Sequence, residues 1–249
     1  MQRNVVLQAL VRLAASLVAI GALAASPAFA GDRANLNILG YSEDGRYFAF
    51  EEYGVHDGSG GNYSDIYVID LPADKWTYGS PFTVEEGGDA ADTPPLAQTR
   101  AKALAKAQEK LKPLKIDTPA EILVLLGDGV PDADGKSMVF ANTMCCNPGA
   151  TEDGRFTLTL KTFPAKLNED YCTDMDSVGY SLAFNDGATT TMLHQDGATL
   201  PKSRGCTLDY RLYAVVAPFE GQGSRVAIIS SYPFGFEGPD RRFLVVPID

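Results

Sequence analysis

The sequence predicts a mainly β protein of antiparallel sheets, in a meander, propeller-like or sandwich arrangement, with one inserted amphipathic helix. Three observations predict it. Roughly ten short runs are rich in aromatic and β-branched residues, turn residues separate most of them, and one stretch near residue 100 repeats its apolar residues at helical spacing.

Residues 1–30 read as an export signal. Arg3 and Arg12 give a positive start, Leu13 to Ala25 is apolar apart from Ser16 and Gly21, and Ala28-Phe29-Ala30 follows the helix breaker Pro27 as a cleavage site. The apolar run is shorter than the ~20 residues a spanning helix needs. Cleavage after Ala30 leaves 219 of the 249 residues, starting at Gly31. These are expected to form one β-rich domain over 31–249, periplasmic or secreted, with no stable membrane insertion. The residue directly after the cleavage point is Gly31 rather than a Cys, so a lipid anchor is not expected.

The strands follow in order. Tyr47-Phe48-Ala49-Phe50 and Ile66-Tyr67-Val68-Ile69 are the first two. The segment from Gly54 to Asn62 between them contains Asp57-Gly58-Ser59-Gly60-Gly61 and reads as a long flexible loop rather than a tight hairpin. Thr93-Pro94-Pro95 then opens a helix over about 94–112, stopped by Pro113. Leu96, Ala103, Leu104, Ala107 and Leu111 fall on one side, and Leu96, Leu104 and Leu111 are expected to dock it on the β body. Lys102, Lys106 and Lys110 line up on another side. Further strands read at 122–126, 138–141, 156–162, 179–184, 189–193, 208–217, 225–231 and 242–246. Asn185-Asp186-Gly187, Glu220-Gly221-Gln222-Gly223 and Pro131-Asp132-Ala133-Asp134-Gly135 read as hairpin connectors.

Without the signal, 19 basic residues face 32 acidic ones, a formal charge of −13. Such a chain cannot present the broad basic surface that displaces counterions from nucleic acid, so no nucleic-acid partner is expected. The helix is the exception, with six basic residues against Glu109 between Pro95 and Lys115. Its lysine stripe is a candidate docking site for an acidic partner.

Cys145, Cys146, Cys172 and Cys206 suit an oxidising compartment. Adjacent Cα atoms lie ~3.8 Å apart, below the usual disulfide span, so each of Cys145 and Cys146 is expected to pair with one of Cys172 and Cys206. With His56 and His194 as the only histidines, no metal site and no cofactor is expected.

The block Ile38 to Gly54, followed by Tyr63-Ser64-Asp65-Ile66-Tyr67-Val68-Ile69-Asp70, resembles a bacterial family of predicted secreted proteins, domain of unknown function 2259. That resemblance implies a location and no activity. Ser42, Asp44, Gly45, Ala49, Phe50, Ile66, Tyr67 and Asp70 are also similar to one repeat of a TolB-type β-propeller, which implies a blade-like meander.

Several constellations invite chemistry. Gly179-Tyr180-Ser181-Leu182-Ala183 approaches a nucleophile elbow with His194 as its base, but no helix follows it. Asp128, Asp132, Asp134 and Gly135 resemble part of a calcium loop with Val130 in place of its middle acid. Glu51-Glu52 and Glu169-Asp170 are consecutive, and neighbours on a strand face opposite ways. No catalytic residue is assigned. Tyr53, His56, Asp57 and Tyr63 flank or lie in the Gly-rich loop and suit a sugar or peptide surface. The best reading is a non-enzymatic binding or structural protein of the cell envelope, with an envelope protein or carbohydrate as candidate partner. The alternative is an envelope hydrolase acting on carbohydrate or ester.

Overall fold

A computed structural model describes residues 31–88, 92–128, 134–142, 153–172, 174–219 and 223–248. In chain order the elements are β1 (Asn35–Ser42), β2 (Tyr47–Val55), β3 (Asn62–Asp70), β4 (Lys75–Trp76), β5 (Phe82–Glu86), α1 (Leu96–Leu111), β6 (Ile116–Thr118), β7 (Ala120–Leu125) and β8 (Ser137–Asn142). There follow β9 (Asp153–Pro164), β10 (Lys166–Leu167), β11 (Val178–Asn185), β12 (Thr190–Gln195), β13 (Thr199–Leu200), β14 (Thr207–Pro218), β15 (Arg225–Pro233) and β16 (Arg242–Ile248).

Three antiparallel sheets carry the fold. The first runs β4-β3-β2-β1-β6 with β5 also on β3, the middle one β16-β15-β14-β7, and the last β12-β11-β9-β8. One face of the middle sheet places Val216, Val226, Ile228 and Phe243 against Tyr41, Phe48, Phe50 and Ile69 of the first. Its other face places Leu212, Val215, Ala227 and Ile229 against Leu158, Leu160, Tyr180 and Leu182 of the last. A strand covered on both faces needs apolar residues at consecutive positions, and every residue from Val226 to Tyr232 of β15 is buried. Each large side chain so buried contributes about 1.5–3 kcal/mol.

The turn motif Ser42-Glu43-Asp44-Gly45 has a local cause. Ser42 Oγ donates to Asp44 Oδ1 at 2.6 Å and accepts from the Tyr47 N–H at 2.8 Å. Gly45 sits at φ 67°, where a Cβ is disfavoured. The motif therefore steers β1 into β2.

Helix α1 lies on the outer face of the first sheet, packing Ala103, Ala107 and Leu111 on Ala49, Ile66 and Val68. Its ends follow the prolines: Pro95 is the N-cap residue, and the helix stops two residues before Pro113. Its inward face follows expectation at Ala103, Ala107 and Leu111 and departs from it elsewhere. Thr99, Ala103, Ala107 and Leu111 are buried, whereas Leu104 is 40% exposed and Leu96 only half-buried. Small residues let the helix approach the sheet closely, and Thr99 Oγ1 donates to Glu86 Oε2 at 2.9 Å. The stripe advances by four, which rotates Leu104 off it.

Two connections also differ. The segment after Gly54 is an ordered hairpin: β2 and β3 pair from Tyr47↔Asp70 to Val55↔Asn62, and the His56 N–H donates to Gly61 O at 2.7 Å. Residues 131–135 do not join a hairpin, because β7 and β8 belong to different sheets; of these residues only Asp134 and Gly135 are described. Asn185-Asp186-Gly187 does connect paired strands, with Asn185 opposite Thr190. The segment around Glu220–Gly223 links the paired β14 and β15, and residues 220–222 lie outside the described residues.

Candidate functional site

The hairpin residues do not converge. Tyr53 lies opposite Ser64 and Gly54 opposite Tyr63, so the two tyrosines fall on opposite faces of the first sheet. Tyr53 faces α1, under the Arg100 guanidinium at 3.7 Å from its ring centroid. Tyr63 is buried between the first and middle sheets. Its ring crosses Gly54, where a Cβ would lie 2.8 Å from the Tyr63 hydroxyl and 3.0 Å from ring carbons. The His56 ring stacks on Tyr63 at 4.7 Å, and its Nδ1 lies 2.6 Å from Asp32 Oδ2. Arg242 Nη1 donates to the Tyr63 hydroxyl at 3.2 Å, and the Asp57 N–H donates to Asp32 Oδ1 at 2.6 Å. Burial pushes the Asp32 pKa up, but the Asp57 N–H and His56 outweigh it and hold the carboxyl low. These groups satisfy one another and clamp the hairpin to residues 32 and 242.

Glu51 and Glu52 point to opposite faces, as strand alternation requires. Glu51 accepts Nε and Nη2 of Arg100 at 2.9 and 2.8 Å, with further bonds from Asn37 and Ser64. Glu52 is 1% exposed between the sheets and accepts the Phe243 N–H.

The lysine stripe folds back onto the protein's own β5. Lys102 pairs with Glu86, and Lys106 Nζ donates to Thr83 O at 3.0 Å. Lys110 stands half-buried in the last turn of α1. The stripe and the His56–Tyr63 stack therefore lie on opposite faces of the first sheet.

A groove gathers polar groups elsewhere. After β3 a 3₁₀ turn, Leu71–Ala73, ends at Asp74, which adopts φ 47° and ψ 51° while its N–H donates to Leu71 O at 3.1 Å. Aspartate is among the few residues that tolerate this left-handed conformation. The reversal sends the chain into β4 and puts Asp74 and Trp76 on one wall. The opposite wall is His194 of β12 and the turn Lys202–Arg204, with Leu244 and Val245 of β16 between. The lobe at His194 has about 200 Å³. The lobe at Trp76 has about 410 Å³, and both share Asp74, Trp76, Ser203 and Val245.

The His194 wall is fixed from behind. Asp196 Oδ1 lies 3.0 Å from His194 Nε2 and accepts Arg204 Nη2 at 3.1 Å, while Oδ2 accepts the Tyr180 N–H at 3.0 Å. Burial pushes the Asp196 pKa up, but the His194 bond, the Arg204 charge and the Tyr180 N–H together hold it down. The Arg204 side chain is 10% exposed and lies over the rings of Tyr180 and Tyr210. His194 stacks on Tyr180 at 4.6 Å. The Asp74 carboxylate is different: among the described residues it has no hydrogen bond or ion pair, and desolvation raises its pKa against the opposing charges of His194 and Arg204.

Ser181 is not part of this arrangement. His194 sits on the face of the last sheet that Tyr180 and Leu182 share, and strand alternation turns Ser181 to the other face. Asp128 is an ion-pair hub, bonded to Arg241, Arg33 and the Tyr232 hydroxyl, while Asp132 lies outside the described residues. Among the described residues no group of His, Cys, Asp and Glu could hold a metal ion.

The cysteine expectation needs correction. Cys172 bonds to Cys206 with Cα atoms 5.5 Å apart, and Cys145 and Cys146 lie outside the described residues. Ala165, Leu167 and Leu200 pack around the bond, so a local apolar cluster brings the two cysteines together. Sequence reasoning raised His194 only as a partner for Ser181, and missed Asp74, Trp76 and Arg204. A sole tryptophan in the polar stretch Asp74-Lys75-Trp76-Thr77 was the available signal.

No curated protein and no solved structure matches the sequence. Among the described residues no helix is long and apolar enough to cross a membrane. Residues 49–249 match the family model described as predicted secreted protein, domain of unknown function 2259, and with most of its length matched the chain belongs to that family.

Proposed function

We propose that this secreted protein is a non-enzymatic binding protein of the cell envelope and that its ligand occupies the groove between Trp76 and His194. The observation that carries this is the convergence of an open aromatic face, a free carboxylate and a pre-built His194–Asp196–Arg204 wall in one concavity. The blade-like meander of β1 to β3 belongs to the same proposal, as the rigid frame for the turn that carries Asp74 and Trp76. The hairpin cluster and the lysine stripe contribute less, since their bonding capacity is largely used within the protein. Co-sedimentation of the mature protein with an isolated envelope fraction tests the proposal. Binding should saturate and should be lost in Trp76→Ala with the melting temperature unchanged; binding that ignores Trp76→Ala sinks it.

One observation favours the hydrolase alternative, namely that the His194–Asp196 pair opens on the groove beside Ser203. A catalytic serine donates to its histidine, and no such bond joins Ser203 to His194 among the described residues. Labelling of Ser203 by a fluorophosphonate probe would establish the hydrolase instead.

A further inference from the structure

We infer that the groove takes a neutral carbohydrate, with one sugar ring stacked on Trp76 and its hydroxyls donating to Asp74; this rests on the binding reading above.

The aromatic surface is built for a flat, weakly polar face. Trp76 is 46% exposed, and Tyr67 backs it with ring centroids 5.2 Å apart and planes at 59°. The indole is thus anchored against Tyr67 while about half of its surface stays open beside the groove. A pyranose offers a matching face of C–H groups with hydroxyls around its edge.

The polar groups beside the ring are unspent. The Asp74 carboxylate, the Ser203 hydroxyl and His194 Nδ1 have no hydrogen-bond partner among the described residues, and all three residues line the groove. A carboxylate accepts from two adjacent hydroxyls at once, and a serine hydroxyl both donates and accepts. Asp74 adopts its left-handed backbone to reach this position, a cost that proteins tolerate where the side chain has a task.

Charge argues for neutrality. The Asp196 carboxylate is matched by Arg204 and His194, and Asp74 is flanked by Lys75. A polyanion would meet the Asp74 carboxylate on a chain whose formal charge without the signal is −13. A polycation would meet the Lys75 ammonium in the lobe at Trp76. The two lobes, adjoining at Asp74, Trp76, Ser203 and Val245, suit a chain of sugar rings entering at Trp76 and running toward His194.

Trp76 is the only tryptophan, so its emission reports this groove alone. The mature protein is titrated with cellotetraose, with the N-acetylglucosamine tetramer, with dextran sulfate and with oligolysine. A neutral oligosaccharide is expected to change the emission saturably. The dissociation constant should rise at least tenfold in Asp74→Asn and in Asp74→Gly, the second of which suits the positive φ and so guards against misfolding. If dextran sulfate or oligolysine titrates and neither neutral sugar does, the sugar class is wrong while the groove remains a binding site. If none of the four probes responds and envelope co-sedimentation also ignores Trp76→Ala, the binding reading itself falls.

Discussion

Glu52→Gln should make the protein more stable at alkaline pH and leave it unchanged at acid pH. Glu52 is 1% exposed between the first and middle sheets, and its Oε2 has no partner among the described residues. Burial pushes its pKa up to about 8; the Phe243 N–H and Arg242 pull it down, and Asp65, directly opposite on β3, pushes it further up. The unfolded chain releases this proton near its ordinary value of about 4.5. Below that pH both states hold the proton and the group has no influence. Between there and pH 8 the folded state keeps a proton that the unfolded state gives up, so stability falls as pH rises, and above pH 8 the loss is complete. The interval from about 4.5 to about 8, at ~1.36 kcal/mol per pH unit, sets a ceiling of about 5 kcal/mol. Glutamine copies the protonated side chain and keeps an oxygen for the Phe243 N–H. Urea denaturation of both proteins from pH 4.5 to 9 is the assay, read as the difference between them so that other titrating groups cancel. The curves should coincide near pH 4.5 and separate in favour of the variant by several kcal/mol at pH 8.5. Parallel curves over the whole range would refute the assignment of a buried, proton-holding carboxyl.

Other outcomes follow from the packing. Replacing Cys172 and Cys206 together by Ala should cost about 4 kcal/mol, since the bond closes a loop spanning a sequence separation of 34, and non-reducing peptide maps should link the two. Leu104→Glu should change the melting temperature little because Leu104 is 40% exposed, whereas Ala107→Phe should destabilise by about 1–3 kcal/mol by overpacking the helix–sheet contact. Arg100→Ala should cost about 2 kcal/mol by stranding the buried Glu51, an effect that should shrink at low pH as Glu51 protonates. Gly54→Ala should unseat Tyr63 and the His56 ring stacked on it, read as loss of their mutual chemical-shift perturbation in NMR spectra.

Most strands were legible because aromatic and β-branched runs coincide with them and Gly, Asp and Asn mark their ends. β1 escaped because its alternation, Asn35-Leu36-Asn37-Ile38, lasts only four residues before Leu39 and Gly40 interrupt it, and a bulge between Ile38 and Gly40 shifts its register. The helix was legible from its prolines, and Ala103, Ala107 and Leu111 of its expected face are buried, but Leu104 and Leu96 are not and Thr99 is. Counting Leu above Ala placed the stripe through Leu104, whereas close approach to the sheet selects Ala103 and Ala107. The groove was scarcely legible at all. Trp76 and His194 come from different sheets and meet only because both sheets pack on the middle one, and no local pattern encodes that meeting. The Cys172–Cys206 bond is set in the same way, by an apolar cluster assembled from distant segments.

The middle sheet has a consequence for how an exported chain can fold. Three of its four strands, β14, β15 and β16, are the last three in the sequence, between Thr207 and Ile248. Both outer sheets are made earlier and rest their apolar faces on them. A chain passing N-terminus first through a translocation channel would expose Phe48, Phe50, Leu158 and Leu160 before the surface that covers them has emerged. Those strands can pair into sheets, but the layers cannot close until the final segment arrives. Closure of the native layers is thereby postponed until the final segment has emerged. The same dependence makes the C-terminus a sensitive place to truncate: removing β16 would strip the edge of the layer on which both other sheets are built.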